Sequence, residues 1–196
     1  MQKMRMQGVV TALITPFTPQ GDIDESGWIA NVRRQVEAGV KGVVVLGTTG
    51  EAPTISSSER SRLIYLAREA LPAHCTLWVG TGSASTQGAV VLSQEAEDLG
   101  ADGLLVVVPY YNRPNQRGLL AHFQKVASAT CLPIYLYNVP KRTGAYLEPE
   151  TILELAYTPS IQGLKDASGS LSDLQMILKK IRADRPDFSL LCGDDL

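Results

Sequence analysis

Ile161-Gln-Gly-Leu-Lys165-Asp-Ala-Ser168 is a short apolar segment that carries one lysine and runs into a serine–glycine–serine turn. This pattern predicts a β-strand that ends in a loop. An isolated ammonium inside a buried strand costs a large desolvation free energy, so burial favours the neutral amine, which is the nucleophilic form. Lys165 is therefore a candidate Schiff-base lysine. On this segment alone, a solvated lysine just past the end of a strand is the alternative.

Apolar strand patterns and amphipathic helix patterns alternate on both sides of this segment, with a repeat of about 25 to 35 residues, which is typical of parallel α/β folding. Asp24 and the serines at 56 and 58 are predicted to cap the first two helices. The predicted strands cover residues 9–14, 42–46, 76–79, 103–108, 133–137, 161–165 and 188–192. The further predicted helices cover residues 87–99, 119–129, 151–156 and 171–181.

The strands are apolar, they end in loops with Gly, Pro, Ser or Thr, and no motif marks a ligand crevice at the centre of a sheet. These features favour a TIM (β/α)8-type barrel over a doubly wound sheet. No change in composition marks a second domain, so residues 1–196 are expected to form a single barrel domain. Such barrels need about 250 residues. We therefore expect a barrel truncated after strand seven, without the eighth strand and the C-terminal helical extension, and with two exposed strand edges.

Composition and charge exclude several classes of protein. The 196 residues are 44% hydrophobic, carry a net charge of −2 and contain no run of basic residues. Neither nucleic acid nor a membrane surface is an expected partner. No segment reaches the length of a membrane span, and no secretion signal is recognised. The expected location is the cytoplasm.

Cysteine and histidine give little support for a disulfide or a metal site. Cys75, Cys131 and Cys192 are odd in number and widely spaced, which predicts buried free thiols in a reducing compartment. His74 and His122 have no ligand-like spacing to each other or to cysteine, so we expect no metal site in the protein.

Loops after three of the predicted strands carry polar or aromatic side chains. The loop Gly47-Thr-Thr-Gly-Glu51 offers backbone N–H groups and two hydroxyls to a small anion, although an ordinary strand-to-helix turn is the alternative. Tyr111 and Tyr137 follow or end two further strands, where a phenol can transfer protons or simply pack. Arg142 can bind a carboxylate with its forked donors, or be solvated.

These segments together resemble the dihydrodipicolinate synthase / N-acetylneuraminate lyase family of pyruvate-dependent class I aldolases. The resemblance extends from Gly8 to Asp195. Each motif alone is weak, but four in this order are specific. They are Gly47-Thr-Thr-Gly-Glu51, Tyr110-Tyr-Asn-Arg-Pro114, Tyr137-Asn-Val-Pro140 and Gly163-Leu-Lys165-Asp-Ala-Ser168.

The resemblance implies a role for each matching residue. Lys165 would form the imine with pyruvate, and Tyr137 would be the acid and base beside it. Thr49 would link Tyr137 to Tyr111, which a second subunit of a dimer or tetramer would donate. Thr48 and Thr49 would hold the pyruvate carboxylate.

Two further matches concern the substrates. Gly193 corresponds to a backbone position that lines the pyruvate pocket. Arg142 corresponds to the arginine that binds the carboxylate of L-aspartate 4-semialdehyde. It favours the branch of the family that condenses this aldehyde with pyruvate to 4-hydroxy-tetrahydrodipicolinate, in lysine and diaminopimelate biosynthesis.

The chain departs from the lysine-inhibited members of the family at their effector site. Those members have a histidine, an asparagine and a glutamate where this chain has Ser57, Ala84 and Gly88, although Tyr110 is retained. The resemblance therefore implies weak or absent inhibition by lysine.

Two other functions stay open at this point. One is an aldolase for a different 2-keto acid, such as a 2-keto-3-deoxy sugar acid. The other is a catalytically impaired barrel that serves only as an oligomeric or binding module, for which the short C-terminus is the support.

Overall fold

The computed structural model describes Met6 and residues 8–193, so the predicted C-terminal end at residues 194–196 lies outside the described part. The strands are β1 (Val10–Ala12), β2 (Gly42–Val45), β3 (Thr76–Gly80), β4 (Gly103–Val107), β5 (Ile134–Asn138), β6 (Ile161–Asp166) and β7 (Ser189–Cys192). The helices are α1 (Glu25–Glu37), α2 (Ser57–Ala70), α3 (Thr86–Asp98), α4 (Gln116–Ala127), α5 (Pro140–Thr143), α6 (Pro149–Ala156) and α7 (Leu171–Ile181), with a 3-10 turn at Ala52–Thr54.

The strands within the described range form one parallel sheet in the order β1 to β7. Helices cover its outer face, where the larger apolar cluster lies. The inner face carries a second buried cluster that includes Val44, Trp78, Tyr135 and Tyr137. A curled parallel sheet with an apolar interior and an outer layer of helices is the arrangement of a (β/α)8 barrel. The predicted fold class is confirmed, with seven barrel strands in the described residues.

Capping side chains fix the first two long helices as predicted. The Asp24 side chain accepts a hydrogen bond from the Gly27 N–H at 2.9 Å and begins α1. Ser56 begins α2, and a capping box links it to Glu59. Each cap satisfies backbone N–H groups that have no partner inside the helix.

A β-bulge lies between β5 and β6. Ile134 is opposite Ile161, whereas Tyr135 is opposite Gly163, so β6 contains one more residue than β5 at this point. Because side chains alternate between the two faces of a strand, one additional residue exchanges the faces that follow it. As a result, Lys165 lies level with Tyr137, and both face the interior.

Several element limits differ from the prediction. The first strand is shorter than residues 9–14, since Ile14 turns towards solvent. Asn115 caps α4, which therefore begins earlier than predicted. The prediction missed α5 and the 3-10 turn, both of them short segments with a proline at the N-terminus.

The prediction that all three cysteines are buried was wrong for two of them. Cys75 is buried, but Cys131 and Cys192 are exposed. Cys131 lies in the loop before β5, and Cys192 lies at the end of β7, an outer strand of the described sheet. A flanking apolar sequence therefore did not guarantee burial. The assignment of residues 1–196 to one domain stays a prediction.

No helix in the described part of the chain is both long enough and apolar enough to cross a membrane.

Candidate active site

Lys165 and Tyr137 form the centre of the site. They are register partners near the carboxyl ends of β6 and β5. The Lys165 Nζ lies 4.5 Å from the centroid of the Tyr137 ring, and Tyr137 is only 7% exposed. The ring face attracts the ammonium form of the lysine. The contact holds the amine at a defined place inside the sheet.

An open cavity of about 1100 Å³ surrounds this pair. Its wall includes residues of β1 and β7, which are the outer strands of the described sheet, and apolar side chains such as Val44 and Leu105. Of the residues predicted from the sequence, six line this cavity: Thr48, Thr49, Tyr137, Arg142, Lys165 and Gly193. The structure therefore brings all but one of the predicted site residues together.

The loop with Thr48 and Thr49 is held by its backbone. The Gly50 N–H donates to the Gly47 carbonyl at 3.1 Å, and the Thr15 hydroxyl donates to the Gly50 carbonyl at 2.8 Å. Both threonine residues are exposed where they line the cavity. A fixed loop with two accessible hydroxyls provides donors for a small carboxylate.

Gly193 lies against Lys165. Its N–H donates to the Asp166 carbonyl at 2.7 Å, which joins the end of β7 to that of β6. A Cβ atom at this position would lie 3.1 Å from the Lys165 Cε, the Ala167 Cβ and the Asp166 carbonyl oxygen. A side chain here would press on the lysine, so the absence of one leaves room for the amine.

Arg142 extends from α5, the short helix that the sequence analysis missed. Pro140 begins this helix, Gly144 ends it with a φ of 70°, and the Arg142 N–H donates to the Val139 carbonyl at 2.9 Å. The Thr143 hydroxyl donates to the Ala145 carbonyl at 2.8 Å. The backbone of Arg142 is thus fixed, while its exposed side chain reaches the rim of the cavity.

Tyr111 is the predicted site residue that lies elsewhere. It is 90% exposed, it does not line the cavity of its own chain, and its backbone has a φ of 71°. Asn112 anchors the same loop, because its Nδ2 donates to the Ala84 carbonyl at 2.8 Å. The loop therefore presents the phenol outward.

A second, smaller cavity of about 390 Å³ adjoins the first and shares Thr48, Tyr137 and Arg142 with it. Tyr110 and Arg60 also line it. Arg60 is buried, its Nη2 donates to the Gly80 carbonyl at 2.9 Å, and burial lowers the pKa of its guanidinium.

The sequence analysis did not single out Asn138 and Asp166. Both are buried polar residues that directly follow Tyr137 and Lys165, and the Asn138 Nδ2 donates to the Asp166 Oδ1 at 3.0 Å. The sequence did contain a signal for both residues, since each is a polar residue at the end of an otherwise apolar strand.

Among Met6 and residues 8–193, no group of three or more His, Cys, Asp or Glu side chains is placed to hold a metal ion.

Comparison with known proteins gives one consistent result. The 4-hydroxy-tetrahydrodipicolinate synthase of Protochlamydia amoebophila is 42% identical over 192 residues, which are 98% of this chain and 64% of that protein. The dihydrodipicolinate synthase of Thermotoga maritima superposes with a TM-score of 0.93 at 39% identity, covering 97% of this chain and 65% of that one.

A structure described as the first monomeric dihydrodipicolinate synthase variant also superposes with a TM-score of 0.93, at 39% identity, over 97% of this chain and 63% of that one. The chain thus spans less than two thirds of the length of these relatives. The model of the Dihydrodipicolinate synthetase family matches residues 5–196. With this match over nearly its whole length, the chain belongs to the dihydrodipicolinate synthetase family.

Proposed function

We propose that this chain is a class I aldolase that binds pyruvate as an imine on Lys165 and condenses it with L-aspartate 4-semialdehyde to 4-hydroxy-tetrahydrodipicolinate. The observation that carries the proposal is the Lys165 amine, held 4.5 Å from the Tyr137 ring inside a cavity of about 1100 Å³. The activity named for the Protochlamydia relative supports the same reaction.

The proposed chemistry begins with attack of the neutral Lys165 amine on the C2 carbonyl of pyruvate. The carbinolamine loses water to give the imine, and loss of a C3 proton gives an enamine, whose C3 attacks the aldehyde carbon. The amino group of the semialdehyde would then attack the imine carbon that results, closing the ring and releasing Lys165 as the free amine. Each step moves a proton, and Tyr137 is the phenol beside the amine that would carry it. Thr48 and Thr49 would bind the pyruvate carboxylate at the loop described above.

Two residues complete the proposed site. Arg142 would bind the carboxylate of the semialdehyde, since a guanidinium can donate two parallel hydrogen bonds to a carboxylate. Tyr111 would come from a second copy of the chain and join Tyr137 through Thr49. Its 90% exposure and its absence from the cavity of its own chain support this arrangement.

The proposal includes a homo-oligomer, at least a dimer, in the cytoplasm, with the imine in place of a cofactor. Pyruvate and the semialdehyde are its small-molecule partners. The three free cysteines support a reducing compartment.

The first test is reduction with borohydride in the presence of pyruvate, followed by intact mass and peptide mapping. We expect a reduced pyruvyl adduct on Lys165 and none on a Lys165→Ala variant. A folded chain without the adduct would refute the proposal and favour a non-catalytic module.

Arg142→Ala tests the identity of the acceptor. A semialdehyde enzyme should lose turnover with L-aspartate 4-semialdehyde but still form the pyruvate adduct. An aldolase for a 2-keto-3-deoxy sugar acid should be nearly unaffected by the change.

A further inference from the structure

Two buried polar residues, Asn138 and Asp166, lie directly behind the candidate catalytic pair. Asn138 is fully buried and ends β5, one residue after Tyr137. Asp166 is 6% exposed and ends β6, one residue after Lys165. Since side chains alternate along a strand, both point to the helix-covered face of the sheet, opposite to the cavity.

Asn138 makes hydrogen bonds with both of its polar side-chain atoms. Its Nδ2 donates to the Asp166 Oδ1 at 3.0 Å and to the Leu147 carbonyl at 3.3 Å. Its Oδ1 accepts from the Leu147 N–H at 3.1 Å. Asn138 therefore ties the end of β5 to β6 and to the segment between α5 and α6.

Asp166 ties β6 to its other neighbours. Its Oδ2 accepts from the Ser168 hydroxyl at 2.7 Å and from the Ser168 N–H at 3.1 Å. Its backbone carbonyl accepts from the Gly193 N–H at 2.7 Å. Within the described residues, the Asp166 carboxylate thus accepts hydrogen bonds from Asn138 and from both donors of Ser168.

This arrangement fixes the position at which the two strands end beside each other. Asn138 and Asp166 are the last register pair between β5 and β6, and Tyr137 and Lys165 are the pair before it. A bulge lies nearer the other end of the same ladder, at Ile134 and Tyr135. The bulge therefore interrupts regular backbone pairing on one side of the Tyr137–Lys165 pair. On the other side, the hydrogen bond between Asn138 and Asp166 joins the two strands.

We propose that Asn138 and Asp166 are positioning residues, whose hydrogen bond holds the Lys165 amine at its observed distance from the Tyr137 ring. The role of that distance in catalysis rests on the function proposed above. The claim that this hydrogen bond positions the amine does not depend on that function.

The test uses Asn138→Ala and Asp166→Asn. The second variant keeps the size of the side chain, but an amide cannot accept from both Asn138 and Ser168 without turning its NH₂ group towards a donor. Asn115→Ala is the matched control, because it removes the 2.9 Å hydrogen bond that the Gly118 N–H donates to cap α4 and leaves the bonds between β5 and β6 intact.

The first readout does not depend on pyruvate. Lysines are methylated reductively with ¹³C-formaldehyde, and the Lys165 methyl resonance is identified with Lys165→Ala. The Tyr137 ring current should shift this resonance in the wild type and in Asn115→Ala. In both test variants we expect it to move towards the position of exposed lysines.

The second readout is the rate of borohydride trapping as a function of pyruvate concentration. We expect the limiting rate to fall about 10- to 100-fold in the test variants, with a much smaller change in the half-saturating concentration. Asn115→Ala should lower the melting temperature without this loss of rate.

A wild-type methyl resonance and a wild-type limiting rate in folded Asp166→Asn would overturn the proposal, even if its melting temperature fell. If Asn138→Ala does not fold, Asp166→Asn carries the test. If the wild type itself forms no adduct, the proposed function fails, and the methyl resonance still decides whether these residues position the amine.

Discussion

The ring and the hydroxyl of Tyr137 have different proposed roles, and a substitution that removes only the hydroxyl can distinguish them. The ring packs in the inner cluster and faces the Lys165 amine. The hydroxyl is the part that the proposed proton transfers need. Tyr135 provides a natural comparison, since it belongs to the same strand and the same inner cluster, two residues earlier.

Tyr137→Phe should therefore fold and keep the ring against Lys165. We expect it to form the pyruvate adduct about 10² to 10⁴ times more slowly, which is the range for loss of a general acid or base. The measurement is the time course of borohydride trapping on Lys165. Tyr135→Phe should trap at nearly the wild-type rate. Equal rates in the two variants would contradict the role of the Tyr137 hydroxyl.

The residues at the predicted effector positions lead to a second prediction, on lysine as an effector. Ser57, Ala84 and Gly88 offer neither a carboxylate nor a side-chain amide to the ammonium groups of lysine. The retained Tyr110 lines the smaller cavity together with the buried guanidinium of Arg60, which repels a cation. Calorimetric titration with lysine should give no saturable heat, and norleucine, which lacks the ε-ammonium, should behave the same way. Tight binding of lysine alone would refute this prediction.

At the scale of elements, α3 and α4 pack around a buried histidine. The His122 Nδ1 lies 2.9 Å from the Thr86 hydroxyl, and its buried Nε2 has no hydrogen-bond partner within the described residues. Burial disfavours the imidazolium and lowers the pKa of His122 to about 4. The neutral ring is thus part of the contact between these helices.

This histidine should make the chain less stable in acid. The unfolded chain has an ordinary imidazole pKa of about 6.5 and binds a proton first as the pH falls, while the folded chain stays neutral down to about pH 4. The free energy of unfolding should therefore decrease by about 2 to 3 kcal/mol between pH 7 and pH 4 through this group. Urea unfolding across this range measures the loss.

His122→Gln should remove that part of the pH dependence, since the amide does not titrate. His74→Gln is the control, because His74 is exposed. An identical pH dependence in the wild type and in His122→Gln would contradict the assignment to His122.

The sequence predicted the elements that depend on local chemistry. Asp24 and Ser56 begin their helices as expected, because a cap is a contact between near neighbours in the chain. Lys165 and Tyr137 could be placed at strand ends for the same reason. The pairing of Asn138 with Asp166 could not be foreseen, because it depends on the register between two strands and on a bulge within it.

Two errors of the sequence-based prediction have physical explanations as well. Cys192 has apolar neighbours in the sequence, yet it is exposed because β7 is an outer strand of the described sheet. The helix that carries Arg142 is a single turn, too short for any periodic pattern to reveal.

At the scale of the whole molecule, the exposed Tyr111 connects activity to assembly. If a second copy donates this phenol, a chain with Tyr111→Phe and a chain with Lys165→Ala are each impaired, but a mixed dimer has one site with both groups. Mixing the two variants should restore part of the rate of adduct formation on Lys165.

The control mixes Tyr111→Phe with the double variant Tyr111→Phe/Lys165→Ala, in which no site has both groups. Sedimentation analysis should show the mixed species. A Tyr111→Phe chain with the wild-type rate, or a mixed dimer without any gain, would rule out donation of Tyr111 across an interface.

Because of the bulge before Gly163, β6 should tolerate the loss of one residue better than the loss of another. Starting from Ile161, whose side chain belongs to the outer apolar cluster, a regular strand would turn Lys165 outward as well, because the two positions differ by an even number. Deleting Gln162 would restore regular alternation with Lys165 still inward and Gly163 still opposite Tyr135, and it would remove a buried amide oxygen that has no hydrogen-bond partner within the described residues. Deleting Leu164 would also leave Lys165 inward by the same count, but Gln162 would then take the inward position opposite Tyr135, where even a Cβ atom on Gly163 would clash with the ring. One residue of β6 can therefore be lost with the inner surface unchanged, whereas the loss of another places a new side chain against Tyr135.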